Sequence, residues 1–171
     1  MQRHIPPFRA DHVGSLLRPA ELKQARTRHE SGEIGAEELR AVEDRTIEAL
    51  IAKQAEVGLR SATDGELRRS MWHFDFLEYD TERAGGFEPL RLVPKAKTVV
   101  LGLVTSKTGE LESKDSIKRR IDDAGRYLDL DQLCLSPQCG FASTEEGNLL
   151  TEDQQWAKLS RIVEIASEAW G

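Results

Sequence analysis

The apolar positions of this 171-residue chain fall into helical stripes and short continuous runs, separated by polar loops. The stretch PAELKQARTRHESG begins at Pro19, a residue suited to a helix's first turn, and ends at Gly32, which predicts a first helix. Over 35–57 the apolar residues Leu39, Val42, Ile47, Leu50, Ile51 and Ala55 recur at helical spacing, and Gly58 closes a longer second helix. Around this helical pair, the segment ending near His12 and the segment LRSATDGE, with its turn at Asp64-Gly65, read as strands. Residues 67–96 are irregular. There Trp72, Phe74, Phe76 and Leu77 suit one helical turn or a packed loop, and Gly85-Gly86 and Pro89 break the pattern. TVVLGLV (98–104) and QLCLS (132–136) are near-continuous apolar runs, as expected for parallel strands buried on both faces. Between them Glu112–Arg126 reads as a helix with Ile117, Ile121 and Ala124 inward, and Leu150–Trp170 closes the chain as an amphipathic helix. This alternation predicts an α/β protein with a parallel sheet. The length suits one domain and falls short of the ~250 residues usual for a (β/α)8 barrel.

Composition narrows the function classes. Lys and Arg number 24 against 30 Asp and Glu, a net charge of −6. An acidic chain without a basic cluster is a poor partner for a phosphate backbone, so no nucleic acid is expected. No window approaches ~18 uninterrupted apolar residues, so no membrane span is expected either. The start MQRHIPPFRADH lacks the apolar core of a signal peptide. Cys134 and Cys139 cannot make a disulfide scaffold. These features point to a cytoplasmic globular protein.

Four loops leave the C-terminal ends of the four predicted strands, where α/β proteins place their chemistry. They carry His12 with Gly14-Ser15, then Asp64-Gly65-Glu66, then Ser106-Lys107, and last Cys139-Gly140. Taken singly, each has a plain structural explanation. His12 suits a polar strand end, Glu66 a turn that accepts backbone hydrogen bonds, Ser106-Lys107 a solvated loop, and Cys134 a small core residue. Cys139, in a Pro-Gln-Cys-Gly turn beyond the last strand, is better placed to meet a metal or substrate. The C-x4-C spacing is not that of a zinc clasp.

Together, HVGSLLRP, TDGELRRSMWHFDF, VVLGLVTSKTGELE and LCLSPQCGFASTEEGN resemble the catalytic barrel of the cobalamin-independent methionine synthase family, in its single-barrel branch. That resemblance implies a zinc-dependent methyltransferase acting on a small-molecule thiol and a folate methyl donor. In such enzymes the metal keeps the thiol as a nucleophilic thiolate at neutral pH. By the resemblance, Cys139 matches the last cysteine ligand of the zinc. Ser15 and Glu66 match positions that hold the amino-acid end of homocysteine, Glu66 by pairing with its ammonium. His12 belongs to the branch's HVGS motif, and Trp72 with His73 lines its substrate pocket. No catalytic base is assigned.

The family's His-x-Cys pair is missing from the sequence. The match runs from the start to about Gly86 and resumes near Leu92, with a junction at 87–91. The retained parts correspond to barrel strands 1, 2, 7 and 8, neighbours in a closed eight-stranded barrel. A single-domain partial barrel spanning 1–171, in spatial order 7-8-1-2, is therefore expected. Its two open edges and uncovered inner face predict self-association. Two alternatives stand beside the methionine-synthase reading: a non-catalytic half-barrel remnant, and an alkyl transferase of the epoxyalkane:coenzyme M type.

Overall fold

In the computed structural model the described residues are 9–68, 86–138, 140–142 and 149–171. Four helices form where the apolar stripes predict them: α1 (Ala20–Glu30), α2 (Ala36–Glu56), α3 (Lys114–Gly125) and α4 (Glu152–Trp170). Their ends follow local chemistry. Ser113 caps α3 by accepting from the Ser116 backbone N–H, and Thr151 with Gln154 forms a reciprocal capping box on α4. Two strands, β1 (Val99–Val104) and β2 (Leu133–Pro137), pair in parallel, with Leu101 opposite Leu135 and Gly102 opposite Ser136. A parallel pair needs a long crossover, and α3 supplies it. The ladder shifts register between Gly102 and Val104. Pro137, which has no N–H to donate, sits at that point, and the Gln138 N–H reaches Val104 O instead at 2.7 Å.

The expected four strands are not all formed. Among the described residues the first is reduced to a single parallel bridge of Ala10 to Leu135, flanked by Asp11 N to Leu135 O and Leu135 N to Arg9 O, both 2.9 Å. The segment 59–66 joins no ladder. At Thr63 both backbone groups are taken by one side chain: Thr63 N–H donates to Gln54 Oε1 at 2.9 Å, and Gln54 Nε2 donates to Thr63 O at 2.8 Å. The spatial sequence β1, β2, residues 9–11, residues 61–65 nevertheless follows the expected 7-8-1-2 order. Ser61 Oγ donates to Asp11 Oδ1 at 3.0 Å, and Leu16 N–H donates to Gly65 O at 3.0 Å.

The core lies between the sheet and its helices. Leu101 and Leu103 of β1 and Leu133 and Leu135 of β2 are buried, as are Ile117, Ile121 and Ala124 of α3 and Leu159, Ile162 and Ile165 of α4. Each such Leu or Ile side chain contributes on the order of 1.5–3 kcal/mol through burial. On α2 the buried row is Val42, Thr46, Leu50 and Gln54, one residue per turn, while Ile51 lies 42% exposed. Of the run Val99–Val104 only Val100 is exposed, so the broad apolar patch expected on the sheet's inner face is absent from these residues. No helix among the described residues is long and apolar enough to cross a membrane.

Candidate functional site

Three loops meet beyond the C-terminal ends of β2 and of residues 9–11. The first is 12–18, the second 61–68, and the third 140–142. Gly14, Gly65 and Glu66 all adopt positive φ, at 82°, 63° and 54°. At Gly65 an added Cβ would stand 2.6 Å from Leu50 Cδ2 and 3.1 Å from Leu16 Cβ, so only glycine fits. The chain can therefore turn sharply under Leu16 and present Glu66. Glu66 holds its strained backbone through its own N–H, which donates to Asp64 Oδ1 at 2.9 Å.

His12 is 4% exposed, and its Nε2 is hydrogen-bonded to Thr63 Oγ1 at 3.1 Å. The same hydroxyl oxygen accepts from Gly65 N–H at 3.2 Å, so His12 braces the turn that carries Glu66. Its Nδ1 is buried and meets no hydrogen-bond partner among the described residues. Burial pushes its pKa below the usual 6.5, against opposing pulls from Asp11 and Gln54, so the ring is neutral near pH 7. Ser15 is buried, and its hydroxyl donates to Ala142 O at 2.6 Å. Its carbonyl accepts from Phe141 N–H at 2.6 Å. The loop after β2 is thus clamped to the HVGS loop. Gly140 allows that approach, since a Cβ there would collide with the backbone of Ser15.

The structure brings His12, Ser15 and the Glu66 turn together through these bonds. Trp72 and Cys139, with His73, Phe74 and Phe76, lie outside the described residues. Ser106 departs from the solvated-loop expectation, being 1% exposed, whereas Lys107 is exposed. Its loop is fixed by Glu112, which accepts from Thr105 N–H at 2.6 Å and pairs with the fully buried Lys158 of α4 at 3.0 Å. Thr63, Gln54 and Gln155 were not singled out in the sequence, yet they carry the site's frame. Gln155 Oε1 accepts from Leu17 N–H at 2.7 Å. Gln54 and Gln155 are polar residues on helix faces that should be apolar, and Thr63 carries no such signal.

The described donors do not fit a zinc site. Among the described residues no three His, Cys, Asp or Glu side chains gather as a metal would need. Cys134 is buried on β2, and burial pushes its thiol pKa up, away from the thiolate a metal prefers.

No family model matches the chain. The uncharacterised protein YxjG of Bacillus subtilis (strain 168) is 70% identical over 96 residues, which cover 56% of this chain and 25% of YxjG. A 5-methyltetrahydropteroyltriglutamate–homocysteine methyltransferase of Mesorhizobium japonicum is 32% identical over 83 residues, 48% of this chain and 10% of that protein. A crystal structure from Listeria monocytogenes, described as a candidate vitamin-B12-independent methionine synthase, superposes with a TM-score of 0.75 at 24% identity. That alignment covers 98% of this chain and 99% of that one. The chain resembles the cobalamin-independent methionine synthases. The Listeria likeness carries the fold, and the Mesorhizobium match likens about half of the sequence to a named homocysteine methyltransferase. The chain spans about a quarter of the length of YxjG.

Proposed function

We propose that this chain serves methyl transfer to a thiol and that its described part holds the amino-acid end of a homocysteine-like acceptor. In such a transfer the sulfur's electron pair attacks the methyl carbon of a 5-methyltetrahydrofolate donor. The thiol gives up its proton, the S–C bond forms as the N–C bond breaks, and the folate nitrogen keeps the bonding pair and takes up a proton. The observation that carries the reading is the Leu16 N–H to Gly65 O bond, which sets the HVGS loop beside the turn that presents Glu66. Glu66 then supplies the carboxylate for the acceptor's ammonium. Ser15, having given its proton to Ala142 O, keeps lone pairs to accept from that ammonium. His12 holds the turn. Zinc, implied by the resemblance, finds no three-donor set among the described residues, so the acceptor-binding role is proposed without it.

Calorimetry tests the role. Homocysteine should bind the intact chain, and Glu66→Gln should weaken binding by about 1.5–3 kcal/mol, the size of a hydrogen bond to a charged group. Equal affinity in the two proteins removes Glu66 from the site. A sulfonate thiol such as 2-mercaptoethanesulfonate has no ammonium for Glu66 to meet. Its binding in place of homocysteine would favour the alkyl-transferase alternative instead.

A further inference from the structure

A concavity of about 450 Å³ opens at the N-terminal ends of β1 and β2, away from the loops that carry Ser15 and Glu66. Its size is within the range of small-molecule sites. Three separate pieces of chain form its walls: the stretch from Arg91 to Lys95, the end of α3 with residues 125–129, and Gln132 just ahead of β2. These walls are fixed by closed hydrogen bonds. Gln132 Nε2 donates to Pro94 O at 3.1 Å and to Lys97 O at 2.8 Å, and Lys97 N–H donates to Pro94 O at 2.9 Å. The Arg120 guanidinium lies over the Phe87 ring at 5.8 Å, tying the short 3-10 helix Glu88–Leu92 to α3.

The charge of the lining is unusual for this chain. Among the described lining residues Arg91, Lys95 and Arg126 face a single carboxylate, Asp129, in a protein whose net charge is −6. Among the described residues neither Arg91 nor Lys95 has a side-chain ion pair or hydrogen bond. Among the described residues Arg126 pairs only with Asp123, one turn back at 3.2 Å on an exposed face. Such a pair contributes roughly 0–1 kcal/mol and yields readily to a better anion. Tyr127, 38% exposed, adds a flat ring to the lining. Asp129 and the terminal carbonyls of α3 oppose an anion, but three cations on two of the walls outweigh them.

We propose that this cavity binds a polyanion of the nucleoside-diphosphate class, its phosphates on Arg91, Lys95 and Arg126 and its base against Tyr127. Cations spread over two walls suit a ligand with more than one phosphate, and guanidinium groups match phosphate oxygens in pairs. The site lies at the sheet end opposite the acceptor loops, so it is independent of the methyl-transfer reading.

Titration of the full chain with ADP, pyrophosphate and adenosine, followed by calorimetry, tests the assignment. ADP should bind and adenosine should not, with pyrophosphate weaker than ADP. Arg91→Glu with Lys95→Glu, both exposed, should leave the melting transition of the unliganded protein unchanged and weaken ADP at least about tenfold. Tyr127→Ala should weaken ADP and leave pyrophosphate unchanged. Absence of binding by both ADP and pyrophosphate, or ADP affinity unaltered by the double reversal, overturns the proposal. Pyrophosphate binding as tightly as ADP overturns its nucleoside part.

Discussion

At the scale of single residues, the candidate site rests on two glycines and one histidine. Gly140 admits Ser15 at a distance no Cβ would tolerate, and the obstructing atoms are backbone, which cannot swing aside. Gly140→Ala should therefore destabilise the fold by about 1–3 kcal/mol, the usual range for overpacking. Gly125→Ala, where a Cβ meets nothing, should be neutral or stabilise by up to about 1 kcal/mol at the end of α3. Urea melts of the two variants check this contrast, and equal midpoints would remove the clamp. His12 makes a second prediction. Its pKa is lowered by burial, so the unfolded chain takes up a proton more readily than the folded one. Stability should then fall as pH drops through the unfolded value of about 6.5. His12→Gln cannot titrate, so its stability should fall less between pH 7.5 and 5.5. Parallel losses in the two proteins would show that His12 does not titrate in this window. The sequence pointed to His12, Ser15, Glu66 and Gly140 because they stand in short motifs. Thr63 and Gln54 went unseen because a side chain that hydrogen-bonds a backbone leaves no periodic trace.

At the scale of elements, the apolar period located all four helices, and the pattern fails where polar residues do the packing. On α2 it selected Ile51 and Ala55, which are exposed, and passed over Thr46 and Gln54, which are buried. Gln54 takes both backbone groups of Thr63 in the place of a strand neighbour, and 59–66 joins no ladder. The α3–α4 pair is also held at its surface by charge. Lys114 pairs with Glu168 at 2.8 Å and with Glu164 at 2.9 Å, and Lys118 also meets Glu168. Hydrogen bonds from Lys114 and then Lys118 lower the Glu168 pKa from 4.5 to about 2. A carboxylate held down in this way stabilises the fold above its unfolded value, and that contribution is lost as pH falls from 4.5 toward 2. Acid unfolding should show it: Glu168→Gln should lower stability at pH 6 and converge with the parent near pH 2. Added salt should shrink the difference at pH 6, because these groups are open to solvent. A difference that persists undiminished at pH 2 would mean Glu168 acts through packing rather than charge.

At the scale of the whole molecule, the α/β class was legible because buried parallel strands have a composition of their own, whereas the order of neighbours came from the family resemblance. The amount of sheet was not. Ala10 forms one bridge and 59–66 none, since strand formation depends on neighbours and not on the strand's own residues. Among the described residues no strand pairs with the edge of β1 opposite β2, and Val100 on that strand is 46% exposed. Leu101, Leu103 and Val104 are buried, so beyond Val100 the strand itself offers little apolar area to drive association. Unpaired backbone groups on an edge strand favour pairing with a second copy. A small interface of this kind should give weak, concentration-dependent association rather than a fixed dimer. Light scattering coupled to gel filtration should show the mass rising above that of one chain as loading increases. Val100→Lys places a charge on the edge without entering the core, so it should hold the protein monomeric while leaving its melting temperature unchanged. A sharp monomer peak at every loading would show that this edge is covered within the chain itself.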